Sequence, residues 1–292
     1  MKTTSSNLLA NIALVMPIFK GGTLFLDAID SVERSNIPFG KIVLSFNGAS
    51  SLDFNHFKRA CAEGRFTKDY LVLRTNQELN SLEHSVFITD YLANILFDDL
   101  KIFFLAHDDR ILNAQNDSAL VEFLGNARSD TVYFPSYSCC NAKDYSYVFD
   151  VVESNQHLTS NNFFWLTQRQ NVPTSMTGMI VPIKAWIEAI EVMQKAGSGA
   201  RFEHILCIAK CISYVNFSKY VRVLVAQREN SEADMLNAMH HRIATLYYTL
   251  MFIKNGRLSG LSDSILYGWI IFKKLSAIVI QIVKDKFVQF LK

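Results

Sequence analysis

Short apolar runs alternate with longer amphipathic stretches through the first half of the chain, and the two periods predict different elements. Ile12–Ile18, Lys41–Phe46, Tyr70–Leu73, Lys101–Leu105 and Thr131–Pro135 are the strand candidates. Between them, Leu24–Arg34, Phe54–Glu63, Ser85–Phe97 and Ser118–Ala127 read as helices; Phe25, Ala28, Ile29 and Val32, for example, share one helix face. Strands and helices in alternation predict an α/β domain around a mainly parallel sheet, because parallel neighbours need a crossover between them.

The pattern loosens after Pro135. Residues 136–175 are rich in Ser, Asn, Gln and Tyr and predict a long irregular stretch, with hairpin strands near Tyr145–Val152 and Phe163–Leu166. Long loops in compact domains are commonly functional, and Phe163-Phe164-Trp165 could stack on an acceptor or lie in the core. Thr177–Pro182 returns as a strand, and Ala185–Lys195, Phe202–Ile212 and Glu232–Ile253 read as helices.

Residues 264–292 read as one amphipathic helix. Lys273, Lys274, Gln281, Lys284, Asp285, Gln289 and Lys292 gather on one side; Trp269, Phe272, Val279, Ile280, Val283, Phe287 and Phe290 gather on the other. A basic face beside a wide apolar face bearing aromatic residues suits a helix lying in a membrane surface. The alternative is a helix docked on its own domain with its charges in water. The chain therefore divides into an α/β domain, residues 1–230, and a C-terminal helical region, residues 231–292, the candidate peripheral membrane anchor.

Composition narrows the classes further. The 292 residues suffice for one large domain or two small ones. With 50% hydrophobic and 19% charged residues, the chain is not a disordered polymer. Basic residues exceed acidic ones by 29 − 27 = 2, so no global field draws nucleic acid, and none is expected as a partner. The five Cys show no regular framework. No apolar run reaches 18 residues and the start lacks the features of a signal peptide. The expectation is a cytoplasmic protein, peripheral on the inner face of the plasma membrane.

The richest chemistry lies in Ile102-Phe-Phe-Leu-Ala-His-Asp-Asp-Arg110. An apolar strand ends in two adjacent acids flanked by His107 and Arg110, where open α/β sheets bind their ligands. Two carboxylates leaving a buried strand need a cationic partner. A divalent cation with hard oxygen ligands, Mg²⁺ or Mn²⁺, fits; a surface turn in which Arg110 pairs with an Asp is the alternative.

Three segments in order then carry a resemblance. Ile12-Ala-Leu-Val-Met-Pro-Ile-Phe19, the helix containing Ala28-Ile-Asp-Ser-Val32, and Lys41-Ile-Val-Leu-Ser-Phe-Asn-Gly-Ala-Ser50 resemble family 2 glycosyltransferases, and Asp108-Asp109 falls where that family carries its Asp-x-Asp motif. The likeness covers roughly residues 10–215. It implies a GT-A fold, a Rossmann-like nucleotide-binding sheet followed by an acceptor-binding half. It further implies a metal-dependent inverting transfer from a nucleotide-sugar donor to a lipid-linked saccharide acceptor, as in O-antigen or capsule assembly. On that reading Pro17 and Phe19 line the nucleotide site, and Asn47 sits by base or ribose where the family more often has an acid. His107 stands near the donor, and Asp108 or Asp109 ligates the metal. Gly178 lets the donor sugar approach the backbone. Glu203, or His204 in its place, is the general base. Two rivals remain: a nucleotidyltransferase, for which Phe19-Lys-Gly-Gly22 is a short phosphate loop, and a non-catalytic membrane-associated protein that retains the fold.

Overall fold

The first strand shows why the sheet forms: in β1 (Ile12–Ile18) every residue but Pro17 is buried, as a strand covered on both faces requires. In the computed structural model the described residues are 11–35, 37–48, 52–95, 99–113, 118–141, 146–151, 156–169, 176–196, 212–227, 246, 249–250 and 261–290. After β1 come α1 (Leu24–Ser35), β2 (Lys41–Phe46), α2 (Leu52–Ala62), β3 (Leu71–Arg74), α3 (Ser81–Ile95), β4 (Lys101–Phe104), β5 (Arg110–Ile111), α4 (Ser118–Gly125) and β6 (Thr131–Asn141). Then follow β7 (Tyr147–Val151), β8 (Gln156–Thr159), α5 (Ser160–Arg169), β9 (Ile180–Pro182), α6 (Ile183–Ala196), β10 (Tyr214–Gln227) and α7 (Leu261–Phe290).

One mixed sheet runs in the order β3-β2-β1-β4-β9-β6-β10-β5, with β7 on β6 and β8 on β10. Strands β3, β2, β1 and β4 are parallel. β9 enters antiparallel to β4 and β6, and β6 and β10 are parallel. Helices cover both faces. α1, α2 and α4 bury Phe25, Ile29, Phe57 and Leu120 on one; α3 and α6 bury Leu92, Trp186 and Met193 on the other.

The second half departs from expectation. Most of residues 136–169 that are described are regular: β6 continues to Asn141, and the apolar cluster expected as a strand at Phe163–Leu166 lies in helix α5. Thr159 caps that helix, its hydroxyl accepting the Asn162 N–H at 3.2 Å. Phe163 and Phe164 are core, with Phe163 about equally placed against Phe134 and Phe217, 6.1 Å from each ring.

β10 was not expected at all. A bulge between Ser218 and Arg222 shifts its register on β6 and moves its buried side chains from one face to the other: Val215 and Phe217 join the α3/α6 core, Val221 and Val223 the α1/α2 core. Asn113 spans the bulge, donating to the Tyr220 carbonyl at 2.7 Å and accepting the Arg222 N–H at 2.9 Å. The expected helix Phe202–Ile212 lies outside the described residues apart from Ile212. So do the 230/231 boundary and Glu232–Ile253, apart from residues 246 and 249–250.

α7 is largely exposed. Ile270 is buried in the α3/α6 core, while Trp269, Phe272, Val279 and Val283 are 53, 59, 57 and 62% exposed. Among the described residues, no helix is long and apolar enough to cross a membrane.

Candidate functional site

The carboxyl ends of β1, β2, β3 and β4 lie side by side, and the segments that leave them hold most of the expected site residues. His107 follows β4. Its Nδ1 is 3.2 Å from the Pro17 carbonyl oxygen, which can only accept, so Nδ1 carries the proton and ties this turn to β1. The loop after β1 presses on the same ring: a Cβ at Gly21 would come within 2.9 Å of His107 Cδ2. Pro17 and His107 are thus brought together; half-buried Phe19 follows β1, and half-buried Asp108 stands on the same turn as His107.

Asn47 is engaged elsewhere. It is buried, and its amide grips Leu79 at both backbone atoms, Nδ2 donating to the carbonyl and Oδ1 accepting the N–H, each at 2.8 Å. Oδ1 also lies 3.1 Å from the Thr75 hydroxyl, which in turn accepts the Gly48 N–H at 2.6 Å. Asn47 therefore forms a neutral clip that fixes the entry to α3.

The two adjacent acids have separate fates. Asp109 is buried; Oδ1 accepts the Ala226 N–H at 2.7 Å and Oδ2 accepts the Thr177 hydroxyl. Thr177 Oγ1 accepts the Ala106 N–H at 3.2 Å. Asp109 therefore clasps the ends of β4 and β10 to the segment before β9. Arg110 pairs with Asp27 of α1, at 2.7 Å.

Gly178 follows in that segment with φ +77°, and its N–H donates to the Phe104 carbonyl at 2.6 Å. A Cβ there would lie 2.9 Å from both Pro135 Cβ and Val223 Cγ1, so packing and backbone conformation already require glycine.

Two residues escaped the sequence reading. Asp53, buried in the first turn of α2, accepts the Gly21 N–H at 2.9 Å and the Gly22 N–H at 3.0 Å. A side-chain carboxylate thus fills the anion position that a phosphate loop would offer, which removes the support for the nucleotidyltransferase rival. His84 of α3 is buried with Nε2 2.8 Å from the Ser45 hydroxyl. Burial, and then the charge of nearby His107, lower its pKa to about 4, so it is neutral. Neither residue belongs to a recognisable local pattern; their partners come from other segments.

Glu203 and His204 lie outside the described residues. Among the described residues, no group of three or more His, Cys, Asp or Glu could hold a metal. Mg²⁺-type ions are commonly held by one or two carboxylates with substrate phosphates completing the shell. Asp108 supplies one carboxylate of that donor set.

No protein-family model and no curated protein sequence matches the chain. Solved structures do. Residues 1–349 of S. aureus TarS in complex with UDP-GlcNAc align with 82% of this chain at a TM-score of 0.56 and 10% identity. GalNAc-T7 with UDP, GalNAc and Mn²⁺ aligns with 77% at a TM-score of 0.50 and 12% identity. The chain spans 66% of the TarS fragment and 45% of GalNAc-T7. At such identities the likeness is one of architecture, and the architecture of this chain is the GT-A glycosyltransferase fold.

Proposed function

We propose that the chain is a family 2-type inverting glycosyltransferase that moves a sugar from a nucleotide-sugar donor to a lipid-linked saccharide in O-antigen or capsule assembly. One observation carries the reading: within a GT-A fold, Pro17, His107 and Asp108 meet at the carboxyl ends of β1 and β4, the ligand position of open α/β sheets. The UDP-sugar bound to TarS and the UDP, GalNAc and Mn²⁺ bound to GalNAc-T7 support it.

The Asp108 carboxylate is the group that would hold Mg²⁺ or Mn²⁺ beside the donor phosphates. Bound there, the metal supplies charge neutralisation for the departing nucleotide diphosphate. Asp109, held by Thr177 and Ala226, keeps the turn in place. Glu203, with His204 as the other candidate, takes the proton from the acceptor hydroxyl as its oxygen attacks the anomeric carbon.

The exposed apolar side chains of α7, with Lys273 stacked 5.2 Å over Trp269, support attachment to the inner face of the plasma membrane, where a lipid-linked acceptor resides. Nucleotide release from a panel of nucleotide sugars, with a lipid-linked acceptor extract and with Mn²⁺ or EDTA, tests the whole reading. Acceptor-dependent release that EDTA stops is the expected result. Nucleotide binding without turnover of any sugar would leave the non-catalytic rival standing, and pyrophosphate release from a nucleoside triphosphate and a sugar phosphate would restore the nucleotidyltransferase.

A further inference from the structure

Beside Pro17, the structure places a buried histidine that the reaction above does not use. Ser45 of β2 pairs in register with Pro17 of β1, two residues beyond the core pair Val15 and Val43. His84 covers Ser45 from the first turn of α3, with its ring stacked on Phe87 at 6.5 Å. The Asn47 grip on Leu79 fixes where this helix begins, at the carboxyl ends of the strands.

The hydrogen bonds assign the tautomer. Ser45 Oγ has no other partner among the described residues, so its proton goes to His84 Nε2. A neutral ring that accepts at Nε2 carries its own proton on Nδ1. His84 is 5% exposed, yet Nδ1 has no acceptor among the described residues and is not among their fully buried unsatisfied atoms. A donor in a nearly buried ring that no described residue satisfies, yet that is not sealed from solvent, is open to an acceptor supplied by a ligand.

We propose that His84 is the base-selecting residue of the donor site, its Nδ1–H donating to an exocyclic carbonyl oxygen and so selecting uracil over cytosine. The inference rests on the nucleotide-sugar reading. Uracil presents a carbonyl oxygen where cytosine presents an amino group; the first pairs with an N–H, the second sets donor against donor. Sites built to hydrogen-bond a substrate group discriminate more strongly than sites that judge by shape. Asn47, engaged with Leu79, is then a support for the base reader and not the reader itself.

Calorimetric titration of the full chain with UDP and with CDP, in Mn²⁺, tests this. Wild type should bind UDP at least about tenfold more tightly than CDP, as one matched against one clashing buried hydrogen bond requires. His84→Phe, which keeps an aromatic ring beside Phe87, should bring the two within about threefold. Ser45→Ala frees the ring to adopt either tautomer and should give an intermediate ratio. Equal affinities in wild type overturn the inference, as does an unchanged ratio in folded His84→Phe. If that variant does not fold, an unchanged ratio in Ser45→Ala overturns it. A wild-type protein that binds neither nucleotide removes the nucleotide-sugar reading itself, and this inference with it.

Discussion

Along the carboxyl edge of β1–β4, polar side chains are tied to distant segments: Asn47 to Leu79, Asp53 to Gly21 and Gly22, Asp109 to Thr177 and Ala226. Along α7 the opposite holds. Trp269, Phe272, Val279 and Val283 stand in solvent, and Ile270 docks the helix on the domain. The edge holds its groups in one geometry through internal bonds, as a preorganised site requires. The helix presents apolar surface that is exposed among the described residues. Substitutions on the edge should therefore be read in stability or catalysis, and those on the outer face of α7 in localisation.

The largest effect should come from Gly178→Val, which combines a left-handed backbone with overlap against Pro135 and Val223. A loss of about 3 kcal/mol or more in urea unfolding is expected; near wild-type stability would mean that the segment before β9 is not held as the edge requires.

Acid should strain the edge through His84. Its folded pKa is depressed to about 4 from an ordinary 6.5, so the folded state resists protonation. Its contribution is present above about pH 6.5 and is lost as pH falls to about 4, by up to roughly 3 kcal/mol. His84→Phe should flatten the stability curve in that window, and a curve of unchanged slope would refute the assignment.

The adjacent acids separate the two kinds of effect within one turn. Asp109→Asn keeps an acceptor but places an amide where both oxygens had accepted bonds, and should cost about 2 kcal/mol of stability. Asp108→Asn should leave the melting temperature nearly unchanged while lowering sugar transfer about 10²-fold. Equal losses of stability in both variants would erase the distinction.

The smallest change in stability belongs to α7. The double variant Phe272→Ser and Val279→Ser should unfold within about 0.5 kcal/mol of wild type. It should nevertheless fail to float with vesicles containing anionic lipid. Normal flotation would detach the membrane proposal from this face.

Strands β1–β4 and β6 and helices α1–α4 were legible because each is a local pattern: β1 is a continuous apolar run, and α1 repeats Phe25, Ala28, Ile29 and Val32 on one side. β10 was not, because its bulge transfers burial between faces and no single alternation runs through it. Phe163–Leu166 misled for a related reason: a four-residue apolar cluster has no period, and Thr159, the cap that decides for helix, precedes it. At the site, sequence located Pro17, His107 and Asp108 at one edge. It did not reveal the hydrogen-bond partners of Asn47 and Asp109, because these lie 32 and 117 residues away.

The Asp109 clasp also orders events in time. Its donors come from Thr177 and Ala226, so it cannot close until β10 has joined the sheet. Contacts of such sequence separation form late, after most of the loop-closure entropy has been lost. In stopped-flow experiments Asp109→Asn should accelerate unfolding and leave the refolding rate almost untouched. The turn that bears Asp108 would then take its working shape only in the last step of folding, which makes the clasp a kinetic lock on the finished domain.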